Sequence, residues 1–93
     1  MYFLLFYDYI DNAVEQRAPY RERHLALVQQ YVDRGELVLG GAFADPVDGA
    51  AIAFRVADKT KIEEFTAKDP YVVNGIVTKW WFREWTVVVG SAL

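Results

Sequence analysis

Apolar and polar residues alternate along this chain with a period that changes from one stretch to the next. Tyr2-Phe3-Leu4-Leu5-Phe6-Tyr7 is a continuous apolar run rich in aromatics, which predicts a strand buried on both faces and so central in its sheet. Asp8 to Asn12 supplies turn chemistry. From about Glu15 to Arg34 the period becomes helical, with Gly35 as the glycine stop just past a helix. Pro19 lies one turn inside that span, so the regular helix is expected to begin there, with Ala18 as a weak cap. Glu36 to Ala44 reads as a strand with a bulge or close backbone approach at Gly40-Gly41. The turn Asp45-Pro46-Val47-Asp48-Gly49 joins it as a hairpin to the strand Ala50–Val56. Asp58 opens a second helix that runs to about Lys68, with Ile62 and Phe65 on its inner face, and Asp69-Pro70 stops it. After Asn74-Gly75, Ile76 to Val89 forms a long strand, bent midway, and Gly90–Leu93 is a frayed tail.

The order is β-α-β-β-α-β in a single domain over residues 1–93. Right-handed crossovers place both helices on one face of a four-stranded antiparallel sheet, an α+β, ferredoxin-like fold. In the last strand, Val77, Lys79, Trp81, Arg83, Trp85 and Val87 fall on one side, and Ile76, Thr78, Trp80, Phe82, Glu84 and Thr86 on the other. Large aromatics thus occur on both sides, whereas a sheet with one solvated face should alternate cleanly. The open face is therefore expected to pack on the sheet of a second copy, a homodimer; an aromatic-lined pocket there is the alternative.

Composition sharpens this. Ninety-three residues that are 54% hydrophobic and 16% aromatic carry more large apolar side chains than so small a domain can bury alone. Ten basic against thirteen acidic residues leave a net charge of −3, with no electrostatic footprint for nucleic acid. The absence of cysteine removes disulfides and thiolate metal sites and agrees with a reducing, cytoplasmic setting. The apolar run Met1–Tyr7 is far short of the ~20 residues that span a bilayer, and no basic segment precedes it as in a signal peptide.

The one histidine carries most of the candidate chemistry. At the helical repeat, Tyr20, His24, Leu27, Val28 and Tyr31 share a stripe, the face that should meet the sheet, while Glu22, Ala26, Gln29, Gln30 and Asp33 face water. Arg17 lies about 20° and Arg21 about 60° from His24 around the axis. Two cations and an imidazole thus point toward an otherwise apolar face. Read structurally, His24 is a core histidine bonded to a carbonyl, and the arginine stems cover apolar surface with their heads in water. Read functionally, the three line a cleft. Asp69 also has two readings: an N-cap with Pro70 at the first helical position, or a carboxylate that fixes the tautomer of His24 and makes it a general base. A lone histidine excludes the usual metal centres, Ser91 in the tail is the only serine, and Gly40-Gly41 lacks the spacing and lysine of a phosphate loop. No cofactor is expected.

Arg17, Arg21-x-x-His24-Leu25, Gly35-x-Leu37 before Gly40-Gly41, and Asp69-Pro70-Tyr71 with Gly75 occur here in one order and spacing. The chain resembles the YciI-like family, the YCII-related domains of the dimeric α+β barrel superfamily, from Tyr2 to about Phe82. The resemblance implies a ferredoxin-like protomer whose sheets pack into a dimeric barrel. It also implies a cleft around a histidine and an aspartate, here His24 and Asp69, with Arg21, Arg17 and Tyr71 of the matching motifs on the substrate side. Departures are Gly49-Ala50-Ala51, where some members begin the strand with serine, Gly40-Gly41-Ala42 in place of a Gly-Pro, and a shorter hairpin.

The leading expectation is a small-molecule enzyme of isomerase or lyase type. His24 would move a proton beside a carbonyl, Asp69 would orient it, and Arg17 and Arg21 would hold an anionic oxygen. The alternatives are a non-catalytic dimeric module binding a small anionic ligand or serving as an accessory subunit, and, last, an oxygenase-like or haem-handling relative.

Overall fold

The computed structural model describes all 93 residues. The chain runs through β1 (Tyr2–Tyr9), α1 (Ala13–Gln16), a 3₁₀ turn (Ala18–Tyr20), α2 (Arg21–Asp33), β2 (Leu37–Ala42) and β3 (Gly49–Arg55), then α3 (Thr60–Lys68), α4 (Pro70–Val73) and β4 (Val77–Trp85). The strands form one antiparallel sheet in the order β2-β3-β1-β4, the ferredoxin-like topology expected of the β-α-β-β-α-β order, with β1 central. No helix is long and apolar enough to cross a membrane.

Alternation on β1 divides the sheet. Phe3, Leu5 and Tyr7 are buried in one cluster with Phe54 and Ile52 of β3, Tyr31 of α2, Ile62 and Phe65 of α3 and Tyr71 of α4. Tyr31, Phe54 and Phe65 meet edge to face at 5.1–6.3 Å between centroids, the preferred geometry of aromatic quadrupoles. The residues between them on β1, Tyr2, Leu4 and Phe6, face the other way and are half-buried. On that open face Trp81 stacks on Phe6 at 5.4 Å, and Leu39, Trp81 and Trp85 are exposed.

Two glycines are required by the backbone. Gly35, at φ 73°, ends α2 in a Schellman motif: its N–H donates to Val32 O at 2.9 Å and the Glu36 N–H to Tyr31 O at 2.9 Å. At Gly49 a Cβ would lie 2.4 Å from the Tyr7 carbonyl, so only glycine lets β3 approach β1 beside the site described below.

Several boundaries and registers differ from the sequence pattern, among them that α3 begins at Thr60 rather than Asp58. The first helix is three pieces, because Pro19 is accommodated in a 3₁₀ turn and α2 starts only at Arg21, with Tyr20 rather than Ala18 before it and no side-chain cap. The irregularity in β2 lies between Leu37 and Leu39, while Gly40 and Gly41 pair regularly with Ile52 and Ala51. The last strand stops at Trp85 rather than Val89, its final pair being Trp85 with Tyr2 of β1. A second irregularity, opposite Asp8 and Tyr9, puts Val77 in the core rather than in register with Lys79. The aromatics on both sides of β4 are then partly accounted for within one protomer, since Phe82 packs edge-on against Phe3 at 6.0 Å.

Candidate functional site

Asp69 is fully buried, and the chain arranges three donors around its carboxylate. Its backbone is extended, φ −64° and ψ 119°, as the residue before proline must be, and this ends α3 and aims the side chain at the first turn of α4. There Oδ1 accepts from the Tyr71 N–H at 3.0 Å, the N-cap bond expected from Asp69-Pro70. The same oxygen accepts from His24 Nδ1 at 2.7 Å. Oδ2 accepts from the Tyr7 hydroxyl at 2.7 Å. The two readings of Asp69 are therefore one: a single carboxylate caps α4 and engages the histidine.

A buried carboxylate can only accept, so Nδ1 of His24 carries the proton and Nε2 keeps its lone pair. The imidazole comes from the inward stripe of α2 and retains 12% side-chain exposure. Tyr71 holds it from one side, the two rings stacked at 3.8 Å and 7° between planes. Ring orientation is thus set twice, by a hydrogen bond and by a face.

His24 lines a cavity of about 420 Å³ between α2 and the β2, β3 and β1 strands, a volume usual for small-molecule sites. Arg17, Arg21 and Tyr71 line it too, so the structure brings together the sequence-predicted residues, with Asp69 directly behind His24. Arg17 is half-buried; Arg21 is exposed at the rim. Neither arginine has a carboxylate partner within 4 Å. No group of three or more histidine, aspartate or glutamate side chains is gathered as a metal site would need.

Tyr7 and Tyr9, both facing this cavity from β1, were not singled out by the sequence pattern. Burial, and then the charge and hydrogen bond of Asp69, push the Tyr7 phenol far above its ordinary range, so it stays a donor. Burial also raises Tyr9, against which the Arg17 guanidinium beside it works. The available signal was positional: Tyr7 ends the buried side of β1, where a hydroxyl needs a partner.

The YCII-related domain family matches the chain over residues 1–86. Among curated proteins no sequence matches. Three solved structures are similar in fold. One is the 5-chloro-2-hydroxyhydroquinone dehydrochlorinase TftG of Burkholderia phenoliruptrix AC1100, in complex with 2,5-dihydroxybenzoquinone, with TM-score 0.79, 17% identity and coverage of 92% of this chain and 94% of that one. Another is a protein from Agrobacterium tumefaciens, with TM-score 0.60, 13% identity and coverage of 94% and 92%. The third is an antibiotic biosynthesis monooxygenase, with TM-score 0.57, 15% identity and coverage of 96% and 100%. At these identities the likeness is one of fold. The chain belongs to the YCII-related domain family.

Proposed function

For a member of the YCII-related family with this cavity, we propose an acid–base enzyme acting on a small anionic molecule, by isomerisation or elimination beside a carbonyl. The observation that carries the reading is the 2.7 Å contact of His24 Nδ1 with a buried Asp69, which leaves Nε2 as the basic nitrogen of a residue lining the cavity. Nε2 takes a proton from the carbon next to a carbonyl. The C–H pair becomes the C–C π bond of an enolate, and the carbonyl oxygen takes the charge. Arg17 and Arg21, free of carboxylate partners, stabilise that oxygen. The imidazolium, held against Asp69, then returns the proton to the γ-carbon where the enolate is conjugated with a further double bond, shifting that bond. Alternatively, the enolate re-forms its carbonyl and expels a leaving group with its electron pair from the β-carbon. Tyr71 keeps the ring in plane. The dehydrochlorinase of similar fold, bound to a dihydroxybenzoquinone, supports a small oxygenated substrate and elimination-type chemistry.

Solvent exchange tests this without knowing the substrate. A panel of small keto acids and lactone carboxylates is incubated with the protein in D₂O, and loss of the proton beside the carbonyl is followed by NMR. At least one member should exchange ~10²–10⁴-fold faster than in buffer, and His24→Ala, still folded by circular dichroism, should lose that acceleration. Acceleration unchanged in His24→Ala would remove His24 as the base.

The same proposal includes a homodimer through the open sheet face, which carries Leu4, Phe6, Leu39, Trp81 and Trp85, with Arg83 between the two tryptophans. Sedimentation should give a dimer for the unaltered protein and monomers or aggregates for Trp81→Asp. A monomer at micromolar concentration would exclude that packing.

A further inference from the structure

The cavity is polar at one end and hydrocarbon at the other, and its two walls divide alike. Along α2 the lining residues Arg21, His24, Val28 and Val32 follow in turn, which at ~1.5 Å per residue sets Arg21 and Val32 about 16 Å apart. Across the sheet, Tyr9 leads to the rung of Tyr7, Ala50 and Ala42, then to the rung of Leu5, Ile52 and Gly40, and beyond it to Leu37. Every hydroxyl and cation of the lining lies at the first end. No acidic side chain lines the cavity at all. At the far end Gly40 and Ile52 line the floor together, and a Cβ on Gly40 would lie 3.4 Å from the Ile52 side chain.

We propose that the cavity takes a monoanionic amphiphile: a carboxylate or enolate at Arg17 and Arg21, with an unbranched alkyl or aryl body lying along Val28, Val32 and Ile52, and Gly40 setting how thick that body can be. This rests on reading the polar end as the ligand-binding end. Two guanidinium groups without a carboxylate partner favour one anionic head. A volume of about 420 Å³ is far more than a bare carboxylate fills, and the remainder has only apolar walls to offer. A second charge on the ligand would find no polar side chain to pair with along those walls.

Isothermal titration with butanoate, hexanoate, octanoate and adipate tests the assignment. Affinity should rise about fourfold per methylene, the equivalent of ~0.8 kcal/mol per buried CH₂. Adipate, with the length of hexanoate but a second charge, should bind at least tenfold more weakly than hexanoate. Val32→Asp, at an exposed position on the wall, should bring the octanoate-to-hexanoate ratio close to one, and Gly40→Ala should lower it. Equal affinities along the series, or adipate binding as tightly as hexanoate, would overturn the amphiphile. So would an unchanged series in the Arg17→Gln, Arg21→Gln double variant. The outcome is separable from the acid–base reading: a chain-length slope that persists in His24→Ala, alongside proton exchange that does not depend on His24, keeps the amphiphile and discards the chemistry.

Discussion

Two tyrosine–carboxylate pairs tie helices into this fold, and they differ in one respect. Tyr7 donates to Asp69 at 2.7 Å, and Tyr31 donates to Glu64 at 2.6 Å. Both tyrosines are buried. Glu64, however, is half-exposed with Lys68 at 3.6 Å, whereas Asp69 has no exposure and its partners are a phenol, a backbone N–H and an imidazole. The Tyr31–Glu64 pair clips α2 to α3 at the surface, where water can reach the carboxylate. The Tyr7–Asp69 pair closes a buried polar knot that meets the cavity at the ring of His24. The same hydrogen bond is a structural clip where the carboxylate meets solvent and part of a chemical site where it does not.

Breaking the knot should cost most. Asp69→Ala strands three donors at once and should destabilise by about 3–5 kcal/mol, as for a buried charged partner removed alone. Chemical denaturation gives that value. Asp69→Asn keeps the volume but places an amide opposite groups that donate. It should be less destabilising and still lose the proton exchange that depends on His24.

Removing one hydroxyl from each pair sharpens the contrast. Tyr7→Phe leaves Oδ2 of Asp69 buried without a donor and should cost about 1.5–3 kcal/mol. Tyr31→Phe lets Glu64 return to water and should cost about 0.5–1 kcal/mol. Equal costs would mean that burial does not separate the pairs.

The alkaline limb is a further expectation shared by both pairs. Burial, and then the hydrogen bond to Glu64, raises Tyr31 to about 12, and burial followed by the charge of Asp69 raises Tyr7 further. Unfolded tyrosines ionise near ~10, so above that pH the unfolded chain binds fewer protons than the folded one. Stability is then fully present below pH ~10 and lost as pH rises through the folded values. Melting temperatures should hold to about pH 10 and fall beyond it, and the fall should be shallower in Tyr7→Phe and in Tyr31→Phe.

The smallest effect belongs to the surface clip at low pH. The Tyr31 hydrogen bond holds Glu64 below the usual carboxylate range, so its contribution is present above about pH 4.5 and fades as pH falls through the depressed value. A melting series from pH 6 to 3 should show a shallower descent for Tyr31→Phe than for the unaltered protein.

Much of this was legible in the chain because it rests on local rules. Gly35 marks a helix end, Asp69-Pro70 a cap, and the stripe through His24 an inward face, each over a few residues. The topology follows from the order of those elements. Tyr7 escaped because its meaning depends on a partner 62 residues away; within an apolar run a tyrosine reads as core. The end of β4 escaped for a related reason, since Thr86–Val89 keeps strand-forming residues but pairing with β1 ends at Trp85 and Tyr2, a matter of register that local pattern does not record. The 3₁₀ turn at Pro19 and the irregularity at Val38 depend on how α2 and β2 seat on the rest, which pattern alone does not record.

The central claim is that Asp69 holds His24 with its proton on Nδ1 and its lone pair on Nε2. Because His24 is the only histidine, long-range ¹H–¹⁵N correlation spectra report it without ambiguity. At a pH where the ring is neutral, the account predicts a pure Nδ1–H tautomer that becomes a mixture in Asp69→Asn. A ring that is mainly Nε2–H in the unaltered protein, or one that averages as in free imidazole, would contradict it.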